Sequence, residues 1–221
     1  EENETTPALL EEALGEGFDC FNLGVSAWGI DQMVLGYRLY KDALRPRVVI
    51  LAFIDDDVRR VLEAYRAFER MNKPCFEVRR DELVAQDSPS ALESFLNRLG
   101  SKSVFFGFVL RHAYVLTEAR PVVRRLLLDL GRETRERGEK LVVLRIPTRD
   151  EPTPRAAIRR RVVSCQEAAE EAGALYLDPR EEIERVPDWG KAFYVRDGHL
   201  SAAGNRFMAE FLHRRVFEDG N

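Results

Sequence analysis

A parallel α/β sandwich is the fold class this sequence predicts, on three observations. Short apolar runs at 18–25, 48–54, 140–146 and 174–177 alternate with segments of helical period. That is the order of strand–helix–strand units with right-handed crossovers. The run from Val48 to Ile54 has no polar interruption, as suits a strand covered on both faces. It stops abruptly in Asp55, Asp56 and Asp57, and open α/β sheets place their sites just beyond the C-terminal ends of strands.

The elements follow in order. Pro7 to Leu14 reads as a short helix with Leu9, Leu10, Ala13 and Leu14 on one face, ended by Gly15 and Gly17. Phe18 to Val25 reads as a buried strand and Ser26 to Gly29 as a turn. Asp31 to Leu44 is helical in period and Pro46 breaks it. Val58 to Glu69 reads helical, Lys73 to Val84 as a small hairpin or an irregular excursion, and Ala91 to Leu99 as a short helix. Phe105 to Glu118 is a strongly apolar helical stretch. Pro121 opens a long helix with Val122, Leu126, Leu130 and Thr134 on one stripe, ending at Gly138. Lys140 to Ile146 is a strand stopped by Pro147. Pro154 to Ala172 reads as a helix closed by Gly173, and Ala174 to Leu177 as a further strand. A helix through Val186 and a loop from Pro187 to Tyr194 follow. Ser201 is a natural N-cap for a final helix whose apolar positions are Phe207, Met208, Phe211 and Leu212.

The length of 221 residues fits one domain, with 58–103 as an insertion on it. No apolar run approaches the roughly 18–20 residues of a membrane span. A net charge of −4 argues against a nucleic-acid partner, and Arg124-Arg125 and Arg159 to Arg161 read as solvated helix faces. Cys20, Cys75 and Cys165 are odd in number and far apart, so they read as buried free thiols rather than a zinc site or disulfides. No cofactor motif is visible.

The chemistry concentrates near the C-terminus. Asp197 and His199 stand two residues apart directly before the last helix. An aspartate that orients a histidine supplies the acid–base half of a hydrolase site. The bland alternatives are a helix-entry motif with a solvent histidine, a turn role for Ser26, a capping role for Ser201, a structural His112 and a solvated His213. Asp55, Asp56 and Asp57 with His199 could also take a divalent metal. Neighbouring extended residues point in alternating directions, however, and rarely share one ion.

Three blocks resemble the SGNH/GDSL hydrolase family. Phe21-Asn22-Leu23-Gly24-Val25-Ser26-Ala27-Trp28-Gly29 is similar to the second block, Phe53-Ile54-Asp55-Asp56-Asp57 stands where the third should be, and Asp197-Gly198-His199-Leu200-Ser201 resembles the fifth. The resemblance implies a flavodoxin-like three-layer α/β/α sandwich and an acyl-ester hydrolase or O-acyltransferase acting on small-molecule or carbohydrate esters. It implies His199 as base and Asp197 as its partner, with Ala27 and Asp56 at the oxyanion positions.

Two of these positions depart from the family. Ala27 replaces a glycine, which keeps the backbone N–H but strains a positive φ. Asp56 replaces an asparagine, and only a protonated carboxyl could donate there. The chain also contains no Gly-Asp-Ser block. The resemblance therefore implies that strand one and the nucleophilic serine precede residue 1, unless a segment such as Ser103–Val109 fills the slot. The opening Glu1-Glu2-Asn3-Glu4 lacks a methionine and a leader, which leaves export or membrane anchoring through a removed segment open. The rival readings are an SGNH-like module that has lost catalysis and binds carbohydrate or assembles with partners, and a metal-dependent phosphoesterase.

Overall fold

In a computed structural model of the chain, the described residues are 4–62, 65–66, 71–73, 75–86, 118–149 and 164–218. They belong to two compact units. One is Glu1–Gly24, Ile146–Glu151 and Asp178–Asn221; the other, larger, is Val25–Arg145 and Pro152–Leu177.

The smaller unit opens with α1, Thr6–Leu14, which has Pro7 in its first turn, buries Leu9 and Leu10 and ends at Gly15 with φ +75°. The chain then departs from expectation, because residues 18–25 form no strand. Phe18, Phe21, Leu23 and Val25 are exposed. The backbone is held locally instead: Glu11 accepts from the Cys20 N–H at 2.5 Å and Asn22 Oδ1 from the Gly24 N–H at 3.0 Å. A strand exists only through a hydrogen-bonded neighbour, and none among the described residues pairs with this run. Its apolar character was mistaken for burial.

The larger unit carries the sheet. Helix α2, Ile30–Leu44, buries Ile30, Val34 and Tyr37. Strand β1, Val48–Phe53, follows, and α3, Asp55–Arg60, starts two residues after it. The expected helix to residue 69 stops at Arg60, and the short strands β2, Tyr65–Arg66, and β3, Met71–Asn72, pair antiparallel. Next comes the expected hairpin, β4, Cys75–Arg79, and β5, Glu82–Gln86. Its two-residue loop, Arg80-Asp81, has φ +50° and +64°, the doubly positive turn that matches strand twist. Helix α4, Arg120–Glu136, turns Val122, Val123, Leu126, Leu127, Leu130 and Thr134 inward. Strand β6, Lys140–Arg145, is buried from Leu141 onward. Helix α5, Gln166–Glu171, and strand β7, Leu175–Leu177, complete the unit.

The sheet is parallel and three-stranded, in the order β1–β6–β7. Val48 aligns with Lys140 and Phe53 with Arg145 on one side, and Val142 aligns with Leu175 on the other. Three of the four expected strands are therefore present. Ser164 and Cys165 are not helical, so no single helix runs from 154 to 172. The expected helix at 91–99, the expected helix at 105–118 up to residue 117, the segment 103–109 and His112 lie outside the described residues. Cys75 and Cys165 are buried and Cys20 is half-buried.

The smaller unit resumes with α6, Arg180–Ile183, and α7, Trp189–Ala192, which occupies the stretch expected to be a loop. A single bridge joins Tyr194 to Leu200. Helix α8, Ala202–Leu212, runs on into a π-helical turn, His213–Glu218. Ile183, Trp189 and Tyr194 form one buried cluster of this unit, with Phe193, Leu200 and Phe207 against them. Thr6 Oγ1 donates to Asn205 Oδ1 at 2.9 Å and ties α1 to α8.

Gly204 sets how closely the start of α8 approaches the chain before it. A Cβ there would lie 2.2 Å from the Phe193 carbonyl oxygen and 3.0 Å from Leu200 Cδ2. The first obstacle is backbone and cannot swing away. Gly204→Ala should therefore destabilise the unit by about 2–3 kcal/mol, against the roughly 1 kcal/mol that alanine gains in a helix. Urea denaturation checks this, and a stabilised variant would contradict the close approach.

Candidate functional site

The Asp197–His199 loop is built by its backbone. The Tyr194–Leu200 bridge closes it, the Val195 N–H donates to the His199 carbonyl at 2.8 Å, and the Gly198 N–H to the Val195 carbonyl at 3.0 Å. Gly198 turns the chain with φ +92°, a conformation that costs a side chain dearly. Tyr194 anchors the base of the loop, its hydroxyl donating to the Pro147 carbonyl at 2.6 Å.

This loop brings the two predicted residues together. Asp197 Oδ1 accepts the His199 backbone N–H at 3.1 Å and stands 3.0 Å from His199 Nδ1. The carboxyl is held below the usual carboxylate range, first by that backbone N–H and then by the His199 side chain. A carboxylate at Nδ1 favours the tautomer with its proton there and leaves the Nε2 lone pair outward. The pair is open to solvent, with His199 83% and Asp197 68% exposed. Ser201 is the cap it was expected to be, accepting from the Gly204 N–H at 3.1 Å and donating to the Ala192 carbonyl at 2.8 Å. His213 Nδ1 lies 3.2 Å from Glu218 Oε1 in the terminal turn.

The predicted oxyanion positions belong to the larger unit. Ala27 sits in a turn in which the Trp28 N–H donates to the Val25 carbonyl at 3.3 Å. Its φ is +61°, the strain expected of alanine at a glycine position, worth on the order of 1 kcal/mol or more. Trp28 packs its ring on Gly36. Ser26 is exposed in this turn.

The three aspartates go to separate partners. Asp55 binds Arg145 side-on, with Nε to Oδ1 at 2.7 Å and Nη2 to Oδ2 at 2.9 Å. Asp56 is partly exposed and meets Arg59 at 3.2 Å and Arg60 at 3.3 Å. Asp57 accepts the Ile54 N–H at 2.9 Å as a reciprocal cap of α3 and takes Arg60 at 2.5 Å. Among the described residues, no group of three or more His, Cys, Asp or Glu could hold a metal ion.

The Asp57 carboxyl is pushed up, to about 6, chiefly by burial. A carboxyl raised in the folded state binds its proton more tightly there than in the unfolded chain. Its contribution is most favourable below the ordinary value of 3.8 and declines as pH rises through 6. The gap is worth roughly 3 kcal/mol. Asp57→Asn keeps the capping oxygen and removes the charge. The variant should therefore gain on the wild type by up to about 3 kcal/mol between pH 4 and pH 7, as read by urea denaturation across that range. A difference independent of pH would contradict a buried, titrating Asp57.

Two buried ion pairs were missed from sequence. Arg145–Asp55 carried a signal, since an arginine closes the apolar run 141–144 of β6 and a buried guanidinium needs a carboxylate. Lys73 donates to Asp31 Oδ2 with both side chains buried, and nothing in the sequence linked a residue of a helix's first turn to one 42 positions away. Burial raises the Asp31 carboxyl while Lys73 opposes it.

No protein-family model, no curated protein and no solved structure matches this chain.

Proposed function

We propose that the chain carries the base half of an SGNH/GDSL-like acyl-ester hydrolase or O-acyltransferase acting on small-molecule or carbohydrate esters. The observation that carries the reading is the 3.0 Å approach of Asp197 to His199 Nδ1 on a turn that exposes the imidazole. The order of the three sequence blocks supports it. In this reading His199 Nε2 accepts the proton of an attacking hydroxyl as that oxygen bonds to the ester carbonyl carbon. Asp197 holds the ring in the required tautomer and stabilises the imidazolium. The tetrahedral intermediate collapses, the ester C–O bond breaks, and the leaving alkoxide takes the proton back from Nε2.

A second reading, a non-catalytic carbohydrate-binding or assembly module, draws on Asp56. Its carboxylate is occupied by Arg59 and Arg60, and an ionised carboxylate offers an oxyanion no proton. Hydrolysis of p-nitrophenyl acetate by the wild type and by His199→Ala separates the readings. The enzyme reading expects turnover that collapses in the variant, whereas the module reading expects none in either.

A further inference from the structure

The smaller unit brings two arginines to the turn that holds His199, and among the described residues neither meets a carboxylate. Arg196 lies in the turn that the Val195 N–H closes onto the His199 carbonyl, and it is exposed. Arg149 Nη1 donates to the Arg196 carbonyl at 3.3 Å, which brings a second guanidinium to the same turn. A backbone carbonyl is a neutral partner and leaves the charge of Arg149 uncompensated. Among the described residues, neither guanidinium meets a carboxylate. Several arginines of this chain are matched to carboxylates, Arg38 to Glu133, Arg124 to Glu171 and Arg214 to Glu182; Arg149 and Arg196 are set apart by coming together at one turn. The only acidic group within the turn, Asp197, is already engaged by the His199 N–H and ring. Two guanidinium groups, one carried by the turn and one reaching it from residue 149, attract an anion, and their planar donors suit carboxylate or phosphate oxygens.

We propose that Arg149 and Arg196 form an anion subsite next to His199, so that the site takes an acyl ester carrying a carboxylate or a phosphate. The proposal rests on the reading of His199 and Asp197 as the base pair and deepens it by naming the substrate class. The guanidinium groups are positioning residues, since they hold the charged part of the ester and do not touch the reacting carbonyl.

Binding of hydrolysis-resistant probes tests the subsite without turnover. N-acetylglucosamine is the neutral probe, N-acetylglucosamine 6-phosphate carries the phosphate and N-acetylmuramic acid the carboxylate. Titrations followed by NMR at the His199 and Arg196 resonances should show an anionic probe binding about fivefold tighter than the neutral one at low salt. The preference should shrink as salt screens exposed charges. In the combined Arg149→Gln, Arg196→Gln variant it should fall to within about twofold. Preference for one anionic probe assigns the subsite to that anion. Equal binding of all three probes, binding of none, or a preference retained in the double variant overturns the proposal. Ester hydrolysis by the wild type and His199→Ala is measured in parallel. Hydrolysis that depends on His199 without anion preference sinks the subsite alone. Anion preference with hydrolysis indifferent to His199 sinks the parent reading alone.

Discussion

Arg145→Ala should destabilise the larger unit by about 3–5 kcal/mol, because it leaves the Asp55 carboxylate buried without its guanidinium. The two side chains are 2% and 1% exposed. Phe53 and Arg145 are aligned across the parallel pair β1 and β6. Asp55 begins α3 just past β1, so the ion pair ties the C-terminal ends of both strands to the first turn of that helix. Asp55→Ala should also destabilise the unit, by removing the carboxylate that grips this buried guanidinium side-on. Replacing both by apolar side chains of matching volume should recover most of the loss, since a buried pair gains little over a hydrophobic one. Cys165 shares the neighbourhood, and burial, helped by the Asp55 charge, pushes its thiol up to about 12. It therefore stays a neutral packing group. Urea denaturation of the two single variants and the double variant reads all three effects. A loss below about 1 kcal/mol in both single variants would mean the pair is wetter than its exposure indicates.

The parts of this fold legible in the sequence are those that repeat a period or obey a local rule. Val48 to Phe53 and Lys140 to Arg145 announce themselves as covered parallel strands because nothing polar interrupts them until their ends. The stripe of α4 and the Ser201 cap of α8 are one-residue rules, and both are present. Residues 18–25 show where such rules fail. An apolar run says that burial is favourable, not that a neighbouring strand is available to supply hydrogen bonds. The end of α3 at Arg60 was hidden for a related reason, because helical period continues past it while the chain turns to pair β2 with β3. At the candidate site, contacts between residues two apart could be read directly, and Asp197 does meet His199. The positive φ of Ala27 followed from its place in the block pattern. The arginine that closes β6 signals a need for a carboxylate, but which one it meets, like the pairing of Lys73 with Asp31, depends on topology that no local pattern encodes. The same holds for the raised carboxyl of Asp57, because burial differs between adjacent residues of one turn.

His199→Ala carries the largest expected effect on function. In the proposed reading His199 is the general base, a role that contributes on the order of 100- to 10,000-fold, so kcat/KM for an acyl ester should fall by that factor. The ring is largely exposed and its only described partner is Asp197. The fold has little reason to change, so a loss of rate would report chemistry. Asp197→Asn should lower the rate too, since an amide in its place no longer enforces the tautomer with Nε2 free. It should also loosen the loop, because the oxygen that accepts the His199 N–H at 3.1 Å would lose its charge.

The most direct test is kcat/KM for p-nitrophenyl acetate on the intact protein, wild type beside His199→Ala, with unfolding midpoints recorded for both. The reading of Asp197 and His199 as the base half of an acyl-transfer site predicts a drop of at least about 100-fold at an unchanged midpoint. Equal rates in the two proteins would remove His199 from the chemistry and contradict it.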